Sequence, residues 1–406
     1  MPIRLPTLTA LGLLAALTPG LALADTTAPL RIGVLNDMSG VYSDFQGVGS
    51  VIAAEMAAED FGGTVNGRKI EVLAGDHQNK PDVGIALASK WYDNDGVDVI
   101  MDIPGSGIAL AVSDLSAKKN KAFLASGAGT SDLTGKKCTP NTVQWTYDNW
   151  ALAHGLVNAA SQQGAKKWFF ITADYAFGHD LEREATQAIA ENGGEVVGSV
   201  RHPIGTTDFS AFLLQAQGSG ADIVAFANAG GDLSNALKGA SEFGLAENGQ
   251  KLGAFILGVN NIKALGLPTT EGILAVSSFY WDQDDASRAF AERFQKRHPN
   301  GNKPNDMQAG VYAATLDYLK AVQKTGQSAD GKVVVAEMKA AGTEDPLFGT
   351  GSIRADGRQI HPVTLYKVKT PAESKGDWDF WESVVTIPAD KAFRPLKDGG
   401  CPLVTD

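Results

Sequence analysis

The stretch that decides the fold is residues 30–61, LRIGVLNDMSGVYSDFQGVGSVIAAEMAAEDF. Its first six residues are mostly apolar and predict a buried strand over 30–35. A polar loop with Ser39 and Gly40 follows, and the alanine-rich segment 47–61 has the apolar spacing of a helix. A strand, a polar loop and a helix in this order predict the start of a parallel βαβ unit.

The same alternation continues along the chain and restarts near residue 148. In the first run it predicts strands at 69–75, 97–103 and 122–126 and helices at 83–94 and 108–118. In the second run it predicts helices at 150–163, 180–192, 209–217 and 233–243 and strands at 167–172, 195–202, 223–227 and 254–257. The fold class is therefore α/β, with two doubly wound parallel-sheet lobes.

The last third of the chain reads as additions to both lobes. Residues 288–297 and 310–324 have helical spacing. Two short strands, 351–354 and 363–368, flank Asp356-Gly357. An Asp-Gly pair between two strands predicts a hairpin.

The first 24 residues have the pattern of a signal peptide. A basic start at Arg4 leads into the apolar stretch 11–17 and then to Ala22 and Ala24, small residues that suit cleavage before Asp25. A buried N-terminal helix is the alternative. No later segment has the roughly 20 apolar residues of a membrane span. We therefore expect the mature chain to diffuse freely in the periplasm.

Charge and cysteine content limit the classes of binding partner and the cellular compartment expected for the protein. The formal net charge is -11, and the charge is spread along the chain, which argues against nucleic acid and anionic membrane surfaces as partners. The two cysteines, Cys138 and Cys401, predict one disulfide in an oxidising compartment, with two buried free thiols as the alternative.

Small polar loops follow three of the predicted strands of the first lobe. They are residues 36–42, 104–107 and 126–131, and they are rich in Gly, Ser, Asn and Thr. Ligands of open α/β sheets bind beyond the carboxyl ends of the strands, where backbone N–H groups and helix N-termini favour an anionic group. The loops therefore predict a ligand site, although ordinary helix caps have similar composition.

Six short segments, taken together, resemble one protein family. They are Arg31–Val34 with Ser39-Gly40, the Asp76–Pro81 turn, Gly105-Ser106, Ala128–Thr130, Asp174–Gly178 and Gly258–Asn260. In order and spacing they resemble the type I periplasmic binding proteins of ABC importers, in the branch that includes leucine/isoleucine/valine-binding and amide-binding proteins. The resemblance covers essentially the whole mature chain.

This resemblance implies two lobes that are joined by three crossing strands and close over a ligand. By that likeness the first lobe is 29–147 plus 280–358, the second is 148–279 plus 359–395, and 396–406 is a C-terminal tail. The implied partners are a small-molecule ligand and the membrane permease of an ABC importer. We expect the chain to act as a monomer, without a cofactor, a metal or a catalytic site.

The resemblance also implies which residues face the ligand. Ser106, Ala128 and Thr130 match positions that hold the ligand carboxylate in amino-acid binders. Phe177 matches a tyrosine of the family, and Asn260 falls where amino-acid binders carry an acidic residue that pairs with the ligand ammonium. The candidate ligand-binding residues are Ser39, Tyr42, Ser106, Gly107, Ala128, Gly129, Thr130, Tyr147, Tyr175, Phe177, Asn228, Asn260 and Tyr280.

Two features favour an aromatic or apolar carboxylate over an amino acid. Asn260 cannot neutralise a buried ammonium, although Asp37, Asp148 or Asp232 could do so. The loops also carry many aromatic rings, which suit a flat or apolar ligand body. Tyr280-Trp281-Asp282 resembles a segment of proteins that bind lignin-derived aromatic acids. A branched-chain amino acid or an amide is the alternative ligand.

Other classes of function lack the residues they need. No serine lies in a G-x-S-x-G segment, no phosphate-binding G-x-x-x-x-G-K-[ST] loop is found, and the six histidines are scattered. Asp76 and Asp174 are expected to stabilise turns rather than to act in catalysis. A periplasmic hydrolase and a soluble sensor that serves a separate membrane receptor remain as alternatives.

Overall fold

The structure is a computed structural model that describes Met1 and residues 28–405. Apart from Met1, the predicted signal peptide, 1–24, lies outside the described residues. The elements of the first run are β1 Leu30–Asn36, α1 Gly47–Asp60, β2 Thr64–Val65, β3 Arg68–Asp76, α2 Pro81–Asp93, β4 Val99–Asp102, α3 Ser106–Lys119, β5 Ala122–Ala125 and β6 Thr142–Gln144.

The second run contains the helices and strands of the other lobe. They are α4 Asn149–Gln162, β7 Lys167–Ala173, α5 Ala176–Glu191, β8 Glu195–His202, α6 Ser210–Gly218, β9 Ile223–Ala227, α7 Gly230–Glu242, β10 Lys251–Ala254, α8 Val259–Leu265, α9 Leu267–Thr270 and β11 Leu274–Ser277. The predicted strand at 254–257 begins three residues earlier, at Lys251, and ends at Ala254.

The remaining elements return to both lobes. They are α10 Asp285–Arg297, α11 Asp306–Thr325, α12 Gly331–Ala341, β12 Thr343–Asp345, β13 Gly349–Ile353, β14 Gln359–Ile360, β15 Val363–Val368, β16 Trp381–Ile387 and α13 Ala389–Ala392. Short 3-10 turns lie at Ser131–Thr134 and Leu396–Gly399.

Two large sheets confirm the doubly wound α/β fold. The first has the order β2-β3-β1-β4-β5-β6, and the second has the order β16-β15-β11-β10-β9-β7-β8. Strands β3, β1, β4, β5 and β6 are parallel, and so are β11, β10, β9, β7 and β8. The chain reverses direction across the first sheet at β1, so a topological switch point lies between β1 and β4, where ligands of such sheets bind.

Helices cover both faces of the first sheet. Ile32 and Val34 belong to the core cluster that includes residues of α1 and α11, whereas Leu35 packs in the cluster of α2 and α3. At Gly33 an added Cβ would lie 2.6 Å from the ring of Trp91. Glycine is therefore needed there so that α2 can pack closely on β1.

The predicted hairpin around Asp356-Gly357 is wrong in one of its strands. The turn joins β13 to β14, with Ser352 paired to Ile360. Strand β15 instead pairs antiparallel with β11 and β16 in the second sheet. The reason is His361-Pro362, which carries the chain from one lobe to the other, because proline cannot donate a ladder hydrogen bond.

Three connections join the lobes, at residues 145–148, 278–284 and 361–362, and one buried arginine, just before β14, bonds to the first of them. The guanidinium of Arg358, fully buried, donates to the backbone oxygens of Trp145, Tyr147 and Gln359. Ser278 donates to the oxygen of Thr146 over 2.9 Å. The connections therefore lie side by side as one hinge. The residue bounds of the two lobes remain a prediction.

The predicted disulfide is confirmed. Cys138 and Cys401 are bonded, with their Cα atoms 5.6 Å apart and a sequence separation of 263. The bond fixes the C-terminal segment, including the turn at Leu396–Gly399, to the loop that follows β5.

Candidate ligand-binding site

A small cavity lies between the two lobes, beyond the carboxyl ends of their parallel strands. It leaves about 20 Å³ for the centre of a water-sized sphere, which is room for about one water molecule. No charged side chain lines it. Its walls are formed by Tyr42, Phe45, Pro104, Gly127, Tyr147, Tyr175, Phe177, Ala229, Ile256 and Met307. The lobes are thus closed on one another, and a larger ligand needs them to open before it enters.

Two aromatic residues meet across this cavity. The hydroxyl groups of Tyr42, from the first lobe, and Tyr175, from the second, lie 2.5 Å apart. Burial raises the pKa of both phenols, so both are neutral and one donates to the other. The third tyrosine, Tyr147, donates to the backbone oxygen of Gly127 over 2.8 Å.

At the end of β4, where the chain approaches the cavity, the backbone has an unusual conformation. Asp102 and Ile103 have φ of 84° and 57°, the left-handed region that costs non-glycine residues energy. The buried Asp102 carboxyl holds this turn by accepting from the Asn36 amide at 3.1 Å and the Ser126 hydroxyl at 2.9 Å. The turn brings Pro104 into the cavity wall. Burial raises the pKa of Asp102 to about 6.

Unused hydrogen-bond donors lie beside the cavity in the loop after β5. Ala128, Gly129 and Thr130 are buried residues, and their backbone N–H groups donate to no acceptor within residues 28–405. The side-chain amide of Gln144 donates to the oxygens of Ala128 and Thr130, at 2.8 and 3.1 Å, and thereby fixes the loop. Free buried N–H groups are rare in proteins, so this loop is suited to an anionic group.

The hydroxyl groups of the same region have different surroundings. Ser106, at the start of α3, is fully buried, and its Oγ has no hydrogen-bond partner in the described part of the chain. Thr130 accepts from the backbone N–H of Asp132 over 3.3 Å, which leaves its own O–H free to donate. Gly107 is exposed on the first turn of α3.

Phe177 packs against the donor loop, since an added Cβ on Gly129 would lie 3.0 Å from its ring. The amide of Asn149 donates to the oxygen of Phe177 at 3.2 Å and to the carboxylate of Asp180 at 2.8 Å. Asp180 also accepts the backbone N–H of Ser131 at 2.8 Å. These bonds place Phe177, from the second lobe, over the loop of the first.

Four of the predicted site residues lie elsewhere or have other partners. Ser39 is exposed and donates to Asp76 over 2.6 Å. Asn228 is fully buried, with its amide nitrogen 3.0 Å from Nε2 of His202. The amide of Asn260 donates to the backbone oxygen of Asp44 over 3.1 Å.

Among the predicted ligand-binding residues, Tyr280 differs most from its expected position. Its hydroxyl donates to the oxygen of Trp378 over 3.1 Å, and its ring packs against Tyr366 and Trp381. It lines a separate open groove beside the second and third connections between the lobes. The structure does not bring Tyr280 to the cavity, because the chain turns away at this connection.

The three acids that could neutralise a ligand ammonium have other partners. Asp37 accepts the N–H groups of Gly40 and Tyr42. Asp148 accepts the N–H of Ala151, and Asp232 accepts that of Gly205. Asp76 likewise accepts from the N–H groups of Met38 and Gln78, as expected of a turn-stabilising residue.

The sequence contains no pattern that identifies several residues of the cavity wall. Pro104, Ala229, Ile256 and Met307 are apolar, and apolar residues at strand ends resemble ordinary core. Phe45, by contrast, is one of the loop aromatic residues that favour a flat or apolar ligand body. Among residues 28–405 no cluster of His, Cys, Asp or Glu could hold a metal ion. Nor does that part of the chain contain a helix with the length and hydropathy of a membrane span.

Comparison with known proteins agrees with this architecture. A family profile described as periplasmic binding protein matches residues 29–377. The chain belongs to the periplasmic binding protein family. This membership accounts for the two lobes, the three connections and the position of the cavity between them.

Solved structures of this family superpose closely on the chain. A periplasmic binding protein from Burkholderia mallei is 44% identical, with a TM-score of 0.90, and the match covers 93% of this chain and 99% of that one. A branched chain amino acid ABC transporter periplasmic ligand-binding protein from Burkholderia xenovorans is 38% identical, with a TM-score of 0.82 and coverage of 92% and 99%. A solute binding protein from R. palustris in complex with 4-hydroxybenzoate is 25% identical, with a TM-score of 0.81 and coverage of 89% and 97%.

Proposed function

We propose that this periplasmic binding protein captures a small carboxylate with an aromatic or otherwise apolar body and delivers it to the permease of an ABC importer. The observation that carries the proposal is the cavity itself: its walls are rings and aliphatic side chains, and unused N–H groups lie beside it. In this proposal the chain acts as a monomer in the periplasm and does no chemistry on its ligand.

The donor loop is the proposed site for the carboxylate group. The N–H groups of Ala128, Gly129 and Thr130 and the hydroxyl of Ser106 are buried and lack partners among the described residues. A carboxylate oxygen would satisfy them, and each such charge-assisted bond is worth about 1.5–3 kcal/mol. No side-chain cation is needed for this binding.

The aromatic wall is the proposed site for the ligand body. Phe45, Phe177, Ile256 and Met307 present apolar surface, and burying it supplies about 25 cal/mol per Å². Ring stacking adds about 0.5–1.5 kcal/mol per pair. The 4-hydroxybenzoate-bound R. palustris relative supports a ligand of this kind.

A branched-chain amino acid is the second candidate, because the Burkholderia xenovorans relative is named for one. Its ammonium would need a free carboxylate, and leaving a buried charge unpaired costs several kcal/mol. Asp37, Asp148 and Asp232 already accept backbone N–H groups. This argues for the aromatic or apolar acid.

Thermal unfolding with candidate ligands tests the proposal. Benzoate and 4-hydroxybenzoate should raise the melting temperature with concentration, because a ligand that binds only the folded chain stabilises it. Benzamide, which keeps the ring and lacks the carboxylate, is the matched control and should have little effect. A rise with leucine or valine and none with the aromatic acids would favour the second candidate. Hydrolysis of benzamide to benzoate and ammonium would instead indicate a hydrolase.

A further inference from the structure

The C-terminal segment, residues 388–401, runs from the second sheet to the first. It follows β16, an edge strand of the second sheet that ends at Ile387. It ends at Cys401, which is bonded to Cys138 in the loop between β5 and β6 of the first sheet. The disulfide therefore closes a fourth link between the two sheets, in addition to the three connections described above.

The C-terminal segment packs against the turn between β13 and β14. Phe393 is buried, and the guanidinium carbon of Arg358 lies 4.3 Å from the centre of its ring. The backbone oxygen of Arg394 accepts from the guanidinium of Arg354 over 2.7 Å. Arg354 also donates to both carboxylate oxygens of Asp356, at 3.2 and 2.6 Å. These contacts fix the backbone at Arg394.

The Arg394 side chain contacts the chain immediately after the donor loop, residues 128–130. Its guanidinium donates to the backbone oxygen of Ser131, which is fully buried, over 3.0 Å. The packing is close here, since an added Cβ on Gly135 would lie 2.9 Å from the oxygen of Gly399 and 3.0 Å from the Arg394 guanidinium. The C-terminal segment therefore contacts this part of the first lobe directly.

The bond from Arg394 fixes a peptide group that bonds to Thr130 on its other side. The oxygen of Ser131 and the N–H of Asp132 belong to one planar peptide group and point in opposite directions. That N–H donates to the hydroxyl oxygen of Thr130 over 3.3 Å. A hydroxyl that accepts in this way keeps its own hydrogen free to donate. Arg394 thus helps to orient the Thr130 hydroxyl, although Arg394 does not line the cavity.

We propose that Arg394 is a positioning residue for the donor loop and that the Cys138–Cys401 bond keeps it in place. The inference rests on the proposed function, because it takes the donor loop as the carboxylate site. Without the disulfide, the bond from Arg394 to Ser131 forms in a smaller fraction of molecules. A ligand binds more weakly when the binding-competent arrangement is less populated.

Calorimetry with 4-hydroxybenzoate tests the role of Arg394. Arg394→Ala should weaken binding about 2- to 10-fold, the loss expected for one hydrogen bond that holds the loop. Arg394→Lys, whose Nζ can still donate to the Ser131 oxygen, should recover most of the affinity. Arg297→Ala is the matched control, because it removes the same charge from an exposed ion pair with Glu59. Equal affinities of Arg394→Ala and Arg297→Ala would overturn the proposal.

A double-mutant cycle tests the role of the disulfide. Replacing both cysteines by serine should also weaken binding of 4-hydroxybenzoate. Adding Arg394→Ala to that chain should cost little more, because both changes act through the same contact. Losses that simply add would overturn the proposed link between the disulfide and Arg394. Melting temperatures identify a serine chain that fails to fold, and Arg394→Ala and Arg394→Lys then decide alone.

Hydrogen exchange of the ligand-free mature chain separates this inference from the choice of ligand. Measured by mass spectrometry over residues 126–135, exchange should be faster in Arg394→Ala than in wild type and Arg297→Ala. Exchange in β9, a buried strand of the second sheet, should be the same in these three chains. Unchanged exchange over 126–135 in Arg394→Ala, or equally faster exchange in β9, overturns the proposal. If 4-hydroxybenzoate binds to none of the chains, the ligand proposal fails, and hydrogen exchange still decides the role of Arg394.

Discussion

At the scale of single residues, the site depends on donors that the chain itself leaves unused. Ser106 and the N–H groups of 128–130 are buried without partners in the part of the chain that the structure describes. Unsatisfied buried polar groups cost free energy, and we propose that a ligand completes these.

Ser106→Ala is the direct test of these donors. Removing a hydroxyl that bonds nothing in the protein should leave the melting temperature nearly unchanged, and it should weaken benzoate binding about 5- to 10-fold by calorimetry. Ser39→Ala is the control, because Ser39 is exposed and bonds Asp76 instead. Equal losses in the two variants would contradict the assignment of Ser106.

Asp102 predicts a pH dependence of stability. Burial raises its pKa to about 6 in the folded chain, above the usual unfolded value near 4. The folded state therefore binds the proton more tightly, and the contribution of Asp102 to stability falls as pH rises from about 4 to 6. Relative to Asp102→Asn, wild type should lose up to about 3 kcal/mol between pH 4 and 7 in denaturant unfolding. Parallel pH profiles of the two chains would contradict this.

The residue scale is also where prediction from sequence was least complete. Ser106 and the donor loop follow strands, so local sequence predicted them near the site, whereas Phe177 was predicted from the family resemblance. Asn260 bonds Asp44, 216 residues away, and Tyr280 packs with residues that follow it by about a hundred positions. Contacts between residues so distant in sequence depend on how the two lobes pack against one another. A local sequence pattern carries no information about that packing.

At the scale of elements, local sequence predicted most helices and strands because buried parallel strands and amphipathic helices have clear apolar periods. Strands β8 and β9 have the expected bounds. The hairpin predicted at Asp356-Gly357 has the correct turn and first strand but the wrong second strand. An Asp-Gly pair identifies a turn, but it does not identify the strands that pair on either side of it. His361-Pro362 sends β15 to the other sheet, where it pairs with β11.

The hinge elements depend on Arg358. Its planar fork donates to two carbonyl oxygens of the first connection, those of Trp145 and Tyr147, and lysine cannot reproduce that geometry. Arg358→Lys should lower the free energy of unfolding by about 1–3 kcal/mol for each buried oxygen left without a donor. Arg293→Lys, at an exposed ion pair with Asp60, should change it by less than about 1 kcal/mol. Similar values in chemical denaturation would contradict the role of Arg358.

At the scale of the whole molecule, two lobes, one hinge and one disulfide define the chain. The Cys138–Cys401 bond closes a loop of 263 residues and holds the C-terminal segment on the first half of the chain. Replacing both cysteines by serine should lower the free energy of unfolding by about 2–5 kcal/mol, mainly because the unfolded chain gains freedom. Unfolding curves that coincide with those of wild type would contradict this expectation.

The central claim is that the closed lobes bind an apolar carboxylate and release it unchanged. Proton NMR of 4-hydroxybenzoate during titration with the purified mature chain tests it most directly. We predict that the ligand signals broaden until one ligand per chain is bound, and that the free ligand recovered after unfolding is chemically intact. Sharp, unshifted signals at millimolar protein, or the appearance of a product, would contradict the claim.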